Sequence, residues 1–185
     1  MEPCPMSSRH TGTLRGASDH LKASYIRRWG IVHTATEQSI ATHMYRVWML
    51  IRMWGPAIGL DKDEQYLAES WALVHDLAEI RTGDMPTPHK TPIVKQHLKE
   101  VEASICPAAA EIEEAIEGSM VADFCKLCDT AEAVLFLKTD GIGAHAREVR
   151  DLLYGQMLAR LERSQLTLVQ QEAFSELFTT TYDES

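Results

Sequence analysis

His75 and Asp76 stand side by side in the apolar stretch Trp71-Ala-Leu-Val-His-Asp-Leu-Ala-Glu79. A buried imidazole or carboxylate left without partners costs about 1–3 kcal/mol, so the pair calls either for hydrogen-bonding neighbours or for a bound cation. Histidine nitrogen and aspartate oxygen together suit a divalent metal. Two more polar residues are stranded on apolar segments: His43 in Ser39-Ile-Ala-Thr-His-Met-Tyr-Arg-Val47 and Asp129 in Asp123-Phe-Cys-Lys-Leu-Cys-Asp-Thr-Ala-Glu-Ala-Val-Leu135. His43, His75, Asp76 and Asp129 make a two-nitrogen, two-oxygen set suited to Mn, Fe, Co, Ni or Zn, with coordination positions left for water. Glu79 follows His75 by four residues and Asp76 by three, on one helix face, and Asp84 follows on a loop. These two carboxylates could hold a second ion, orient an attacking water or protonate a leaving oxygen.

The elements that must position these groups read as helices throughout. A short helix is expected over Asp19–Arg28. Apolar residues at 40, 44, 47, 48, 51, 53 and 54 predict a second, started at Thr36 and loosened at Gly55-Pro56. Asp61, with Asp63 and Glu64 in the first turn, starts a third that runs through His75-Asp76 to about Arg81. Thr82 to Pro88 is a loop, because two prolines and a glycine forbid regular helix. Further helices are expected over Ile93–Ser104, after Pro107, and over Ser119–Thr139, Ala144–Glu162 and Thr167–Thr181. No strand-like alternation appears, and the expected fold is all-α: a compact helical bundle over 18–185, preceded by a flexible arm at 1–17.

Composition narrows the function. The chain has 185 residues, 45% hydrophobic and 24% charged, enough for one domain with a real core. A net charge of −9 argues against a general binder of nucleic-acid polymers, while a local cluster of cations remains compatible with a small anionic substrate. No apolar run reaches the roughly 18–20 residues of a membrane span, no signal-peptide core is seen near the start, and four unevenly spaced cysteines read as reduced thiols of the cytoplasm. Cys125-x-x-Cys128 has redox or zinc spacing but lies mid-helix, where thiol pKa is not lowered. Trp48, Met49, Trp54 and Trp71 read as core or subunit contact.

In this order on helices, His43, His75-Asp76 and Asp129 resemble the H…HD…D signature of the HD-domain phosphohydrolases. Thr82-Gly-Asp-Met-Pro-Thr-Pro-His-Lys90 resembles the T-G-D-x-P-T-P-x-K loop of bacterial HD-type 5′-deoxynucleotidases, and Arg28-Trp29 their Arg-Trp pair. Glu37-x-Ser-x-x-x-His43 matches their Glu-x-x-Ser-Glu-His segment only in part, with Thr42 where an acid is usual. Asp76 and Asp129 lie 53 residues apart, a compactness similar to the phage HD-type dATP triphosphohydrolases that serve viruses with 2-aminoadenine genomes. The resemblance implies the HD-domain bundle and a divalent metal (Co, Mn, Zn or similar) on His43, His75, Asp76 and Asp129. It implies catalytic roles for Glu79, Asp84 and the phosphate-gripping Arg28, and a substrate-binding set of Arg28, Trp29, Ile31, Pro88 and Lys90. It also implies a deoxynucleotide substrate: dATP cut to deoxyadenosine and tripolyphosphate, with 5′-deoxynucleotidase action on monophosphates as the alternative and a non-catalytic HD-fold sensor as the outside class. Lys90, Lys95 and Arg27 are the expected extra cations for a triphosphate tail. A homo-oligomer, dimer or hexamer, is expected from relatives that associate.

Overall fold

Ser39 accepts a hydrogen bond from the amide of Thr42 at 3.2 Å and so opens helix α1 (Ile40–Ile58). The start expected at Thr36 is displaced because the preceding chain is tied down. Arg27 and Ser39 form an isolated antiparallel bridge, and the Ile40 amide donates to the Ile26 carbonyl at 2.9 Å. The expected loosening at Gly55-Pro56 does not occur. Pro56 is helical, Gln65 donates to the Ile51 carbonyl at 3.1 Å in the adjoining turn, and α1 ends at Gly59 in the left-handed region, φ 86°.

The computed structural model describes residues 21–85 and 91–185. The expected arm at 1–17 lies outside them, as do Pro88 and Lys90. Within the described residues the helix expected over Asp19–Arg28 is α-helical at 21–22, tightens to a 3-10 turn at Ala23–Tyr25 and ends at extended Ile26. A capping box of Asp61 and Glu64 opens α2 (Lys62–Ala72).

The largest departure follows α2. A continuous helix to Arg81 is expected; instead α-helix stops at Ala72, and Leu73 to Ala78 form consecutive turns before the short α3 (Glu79–Thr82). The amides of Leu73, Val74, Leu77, Glu79, Ile80 and Arg81 each donate three residues back, at 3.0–3.3 Å, a 3-10-type ladder. Apolar residues at 67, 71, 74 and 78 satisfy periods of 3.6 and 3.0 alike, so the pattern does not separate the two geometries.

The remaining helices are α4 (Pro92–Ile105), α5 (Pro107–Ile116), α6 (Met120–Asp140), α7 (Gly143–Arg163) and α8 (Leu168–Glu184). The described residues are all-α, apart from the bridges Arg27–Ser39 and Thr34–Gly141. Helix α6 is the central rod, packed on α1, α2, α7 and α8. Its Phe124, Leu127 and Val134 meet Val47, Ile51, Trp54, Trp71 and Phe174 in the main core, where each fully buried large side chain contributes about 1.5–3 kcal/mol. A side chain at Gly141 would collide with the Leu137 carbonyl, so glycine at this position lets the chain turn from α6 into α7. Among the described residues no helix is long and apolar enough to cross a membrane.

Candidate metal centre

Three elements converge at the middle of α6: α1 brings His43, the turn run after α2 brings His75 and Asp76, and α6 brings Asp129. His43 Nε2 stands 3.1 Å from Asp129 Oδ1, 3.4 Å from His75 Nε2 and 3.5 Å from Asp76 Oδ2. His75 Nε2 stands 3.5 Å from Asp76 Oδ2 and 3.8 Å from Asp129 Oδ1. Donors held about 2.0–2.2 Å from one ion lie about 3–3.6 Å from each other, so this spacing fits a shared divalent cation. The donor atoms of His43, His75 and Asp129 all fall within 4.8 Å of one another. The two histidines are buried, whereas the side chains of Asp76 and Asp129 are 17% and 26% exposed, so the site opens on its carboxylate side.

Each imidazole is aimed by a second contact. His43 donates from Nδ1 to Glu132 Oε2 at 2.6 Å, and His75 donates from Nδ1 to the Ala72 carbonyl at 3.0 Å. Both contacts turn Nε2 inward, the arrangement that orients metal-binding histidines. Trp71 stacks on His75, ring centroids 4.3 Å apart, and so becomes part of the site's wall as well as of the core.

The electrostatics favour a cation. Burial works against charge on Asp76, but His75 and His43 outweigh it and bring its pKa down to about 2. Asp129 is held well below the usual carboxylate range; burial again opposes this, and hydrogen bonds from His43 and His75 overcome it. Burial and Arg28 both work against a charged His43, yet Glu132 and Asp129 raise its pKa to about 9.

Arg28 and Trp29 border this corner. Arg28 is desolvated, but Asp76, Glu132, Asp129 and Asp84 keep its pKa above the ordinary value. Its Nη1 is buried without a hydrogen-bond partner, a cation with a donor to offer an anion. Trp29 has φ 65°, an uncommon conformation for a bulky residue. Its amide donates to Asp84 Oδ2 at 3.1 Å, its indole N–H donates to Gln38 at 2.7 Å, and its ring stacks on Phe136 at 5.8 Å. Asp84 therefore braces the Arg28-Trp29 segment. Glu79 is buried at the start of α3.

Other expected residues fall differently. Ile31 is 63% exposed on the turn after Trp29. Lys95 is exposed on α4, and Arg27 is engaged in an ion pair with Glu37. Two polar residues that the sequence reading did not single out belong to the site. Glu132, buried one turn past Asp129, accepts from His43 and Gln38 and forms an ion pair with Arg46. Lys126, one turn before Asp129, has Nζ 3.9 Å from Asp129 Oδ2 and 4.5 Å from the Trp71 ring centre. The i±3 spacing from Asp129 was the available signal for both. Cys125 and Cys128 are free and buried in the core; burial pushes the Cys125 thiol up to about 12 and Cys128 well above its usual value, which disfavours the thiolate.

Comparison with known proteins places this geometry. A dATP triphosphohydrolase of cyanophage S-2L is 53% identical over 154 residues, 83% of this chain and 87% of the relative. A dATP triphosphohydrolase of Salmonella phage PMBT28 is 32% identical over 136 residues, 69% of each chain. The solved cyanophage S-2L HD phosphohydrolase DatZ, bound to dA and one catalytic Zn2+ ion, has a TM-score of 0.85 and 50% identity, over 91% of this chain and 96% of that one. Residues 20–171 match the 5′-deoxynucleotidase YfbR-like family. The H…HD…D residues brought together here and the match over most of the chain agree, and this chain belongs to the YfbR-like family of HD phosphohydrolases.

Proposed function

We propose that this protein is a metal-dependent hydrolase of deoxynucleotides acting at the α-phosphorus, with dATP as substrate and deoxyadenosine and tripolyphosphate as products. The observation that carries the reading is the inward grouping of His43, His75 and Asp129 within 4.8 Å, with Asp76 Oδ2 facing both imidazoles at 3.5 Å. It occurs in a chain 53% identical to a dATP triphosphohydrolase. Zinc, the ion named in the related structure, suits these four donors. Bound there, a divalent ion supplies a Lewis acid and acidifies the attacking water.

The protein's own residues do the rest. Arg28 offers its buried guanidinium to the α-phosphate oxygens, and Lys126 adds a second positive charge at the open side of the corner. Glu79 positions the water and hands a proton to the departing 5′ oxygen. Asp84 holds the backbone of Trp29, whose indole packs on the nucleoside and excludes a ribose 2′-hydroxyl by size. Ile31 stands on the turn after Trp29, toward the base; the base-binding role of Pro88 and the phosphate-binding role of Lys90 fall outside the described residues and rest on the loop's resemblance alone. The metal centre rests on His43, His75 and Asp129 with Asp76, and the carboxylates of Glu79 and Asp84 remain the candidates for a second ion. The match to the 5′-deoxynucleotidase family favours one other reading, release of phosphate from deoxynucleoside monophosphates.

We further read 18–185 as one HD domain of a cytoplasmic homo-oligomer, dimer or hexamer, with exposed Tyr45, Met53 and Tyr66 on α1 and α2 as the apolar surface available for contact. The functional test is product analysis. The zinc-loaded protein is incubated separately with dATP, dGTP, dAMP and ATP, and products are resolved by chromatography and phosphorus NMR. Deoxyadenosine with tripolyphosphate from dATP is expected. Phosphate from dAMP alone would replace this reading with the nucleotidase, and no turnover with zinc bound would overturn both.

A further inference from the structure

Glu132 is buried behind His43 and joins both halves of the site. It lies on α6 at 1% exposure. Oε2 accepts from His43 Nδ1 at 2.6 Å and Oε1 accepts from Gln38 Nε2 at 2.7 Å, while Arg46 Nε forms an ion pair with Oε1 at 3.0 Å. Gln38, also 1% exposed, uses its own Oε1 to accept the indole N–H of Trp29 at 2.7 Å. One unbroken chain of hydrogen bonds thus runs from the indole, through the amide and the carboxylate, to the imidazole whose far nitrogen faces His75, Asp76 and Asp129.

The direction of this chain is forced. An ionised carboxylate only accepts, so Gln38 must present its NH2 to Glu132 and its carbonyl to Trp29, and His43 must carry its proton on Nδ1. The Nε2 lone pair of His43 is then directed at the metal position. Arg28 Nη1 stands 3.8 Å from Glu132 Oε2. That is near enough for attraction and too far for a hydrogen bond, so the guanidinium is steered without its donor being used.

We propose that Glu132 is a positioning residue with two outputs: it sets the tautomer and aim of His43 for the metal, and through the enforced orientation of the Gln38 amide it holds the Trp29 indole in place for the nucleoside. The second output rests on the functional reading above; the first does not.

The test separates them by measuring binding apart from turnover. Zinc affinity is read by competition with a chromophoric chelator, and dA affinity by calorimetry on the zinc-loaded protein. Glu132→Gln introduces a donor where only acceptors fit. It is expected to weaken zinc binding about 10–100-fold and to weaken dA binding as well. Glu132→Asp keeps the charge but draws it back by one methylene, and an intermediate loss of zinc affinity is expected; this variant serves if Glu132→Gln does not fold. Gln38→Leu cuts only the second branch. It should weaken dA about 5–10-fold, the effect of one lost hydrogen bond, and raise KM for dATP while zinc affinity holds. Unchanged zinc affinity in both Glu132 variants would overturn the proposal, as would a Gln38→Leu protein that loses zinc as severely as it loses dA. The zinc shifts without wild-type turnover of any deoxynucleotide would support the positioning role and overturn the functional reading instead.

Discussion

His43 sits in the regular helix α1 and takes its orientation from a side chain, the Glu132 carboxylate 2.6 Å away. His75 sits in the turn run after α2 and takes its orientation from the backbone, the Ala72 carbonyl at 3.0 Å, with Trp71 stacked beside it. The two imidazoles end 3.4 Å apart at Nε2. The difference teaches where the site is vulnerable. A helix can deliver a histidine to the right place, but its carbonyls are used by the helix itself, so a buried acid must set the tautomer. A run of turns leaves a carbonyl within reach, and no substitution removes a carbonyl. One half of the site is therefore open to a single side-chain change, and the other is written into the chain path.

The largest expected effect comes from Asp76, which faces both histidines at 3.5 Å. Asp76→Ala should lose zinc and turnover together, whereas Glu79→Gln should keep its zinc, measured by elemental analysis, and lose about 10²–10⁴-fold in kcat. Equal metal loss in the two variants would place Glu79 among the ligands. Next, Trp71→Ala removes the stack under His75 and leaves a void in the core, at a cost of about 3–5 kcal/mol in denaturant unfolding. A loss below about 1 kcal/mol would show that the chain path alone holds that half of the site. Stripping the metal should lower stability by about 2.7 kcal/mol relative to protein held in zinc at 100 times its dissociation constant. The chelator should leave the unfolding midpoint of Asp76→Ala where it was. The smallest effect is expected on the core side of α6. Burial raises the pKa of the Cys125 and Cys128 thiols, so at pH 8 both stay protonated and unreactive. Among the three cysteines of the described residues, a thiol reagent should label partly exposed Cys106 first and reach the buried pair only on unfolding.

The helices that begin with a strong cap were legible: Asp61 and Ser119 each sit where their side chains accept from the first turn of α2 and α6. The start of α1 was not legible, because the bridge between Arg27 and Ser39 depends on a partner twelve residues away. The donors His43, His75, Asp76 and Asp129 stood out as polar residues in apolar surroundings. Glu132 did not, although it lies in the same stretch, because glutamate is an ordinary helix former and only the packing of α1 on α6 shows that it is buried against His43. Trp71 was legible as core but not as the wall beside His75, for the same reason. The φ 65° of Trp29 had no sequence signal, since glycine or asparagine is what such a position ordinarily calls for.

From Leu77 to Arg81, where the bonds reach three residues back, the chain behaves as a screw of three residues per turn on which Asp76 and Glu79 share one thread position. Its phase is an integer, so length matters here more than composition. One residue added or removed between Asp76 and Glu79 would turn the glutamate by roughly 120°, off the side of the chain that Asp76 occupies. Change in this stretch is thus confined to substitution, while the surface connections elsewhere remain free to gain or lose residues.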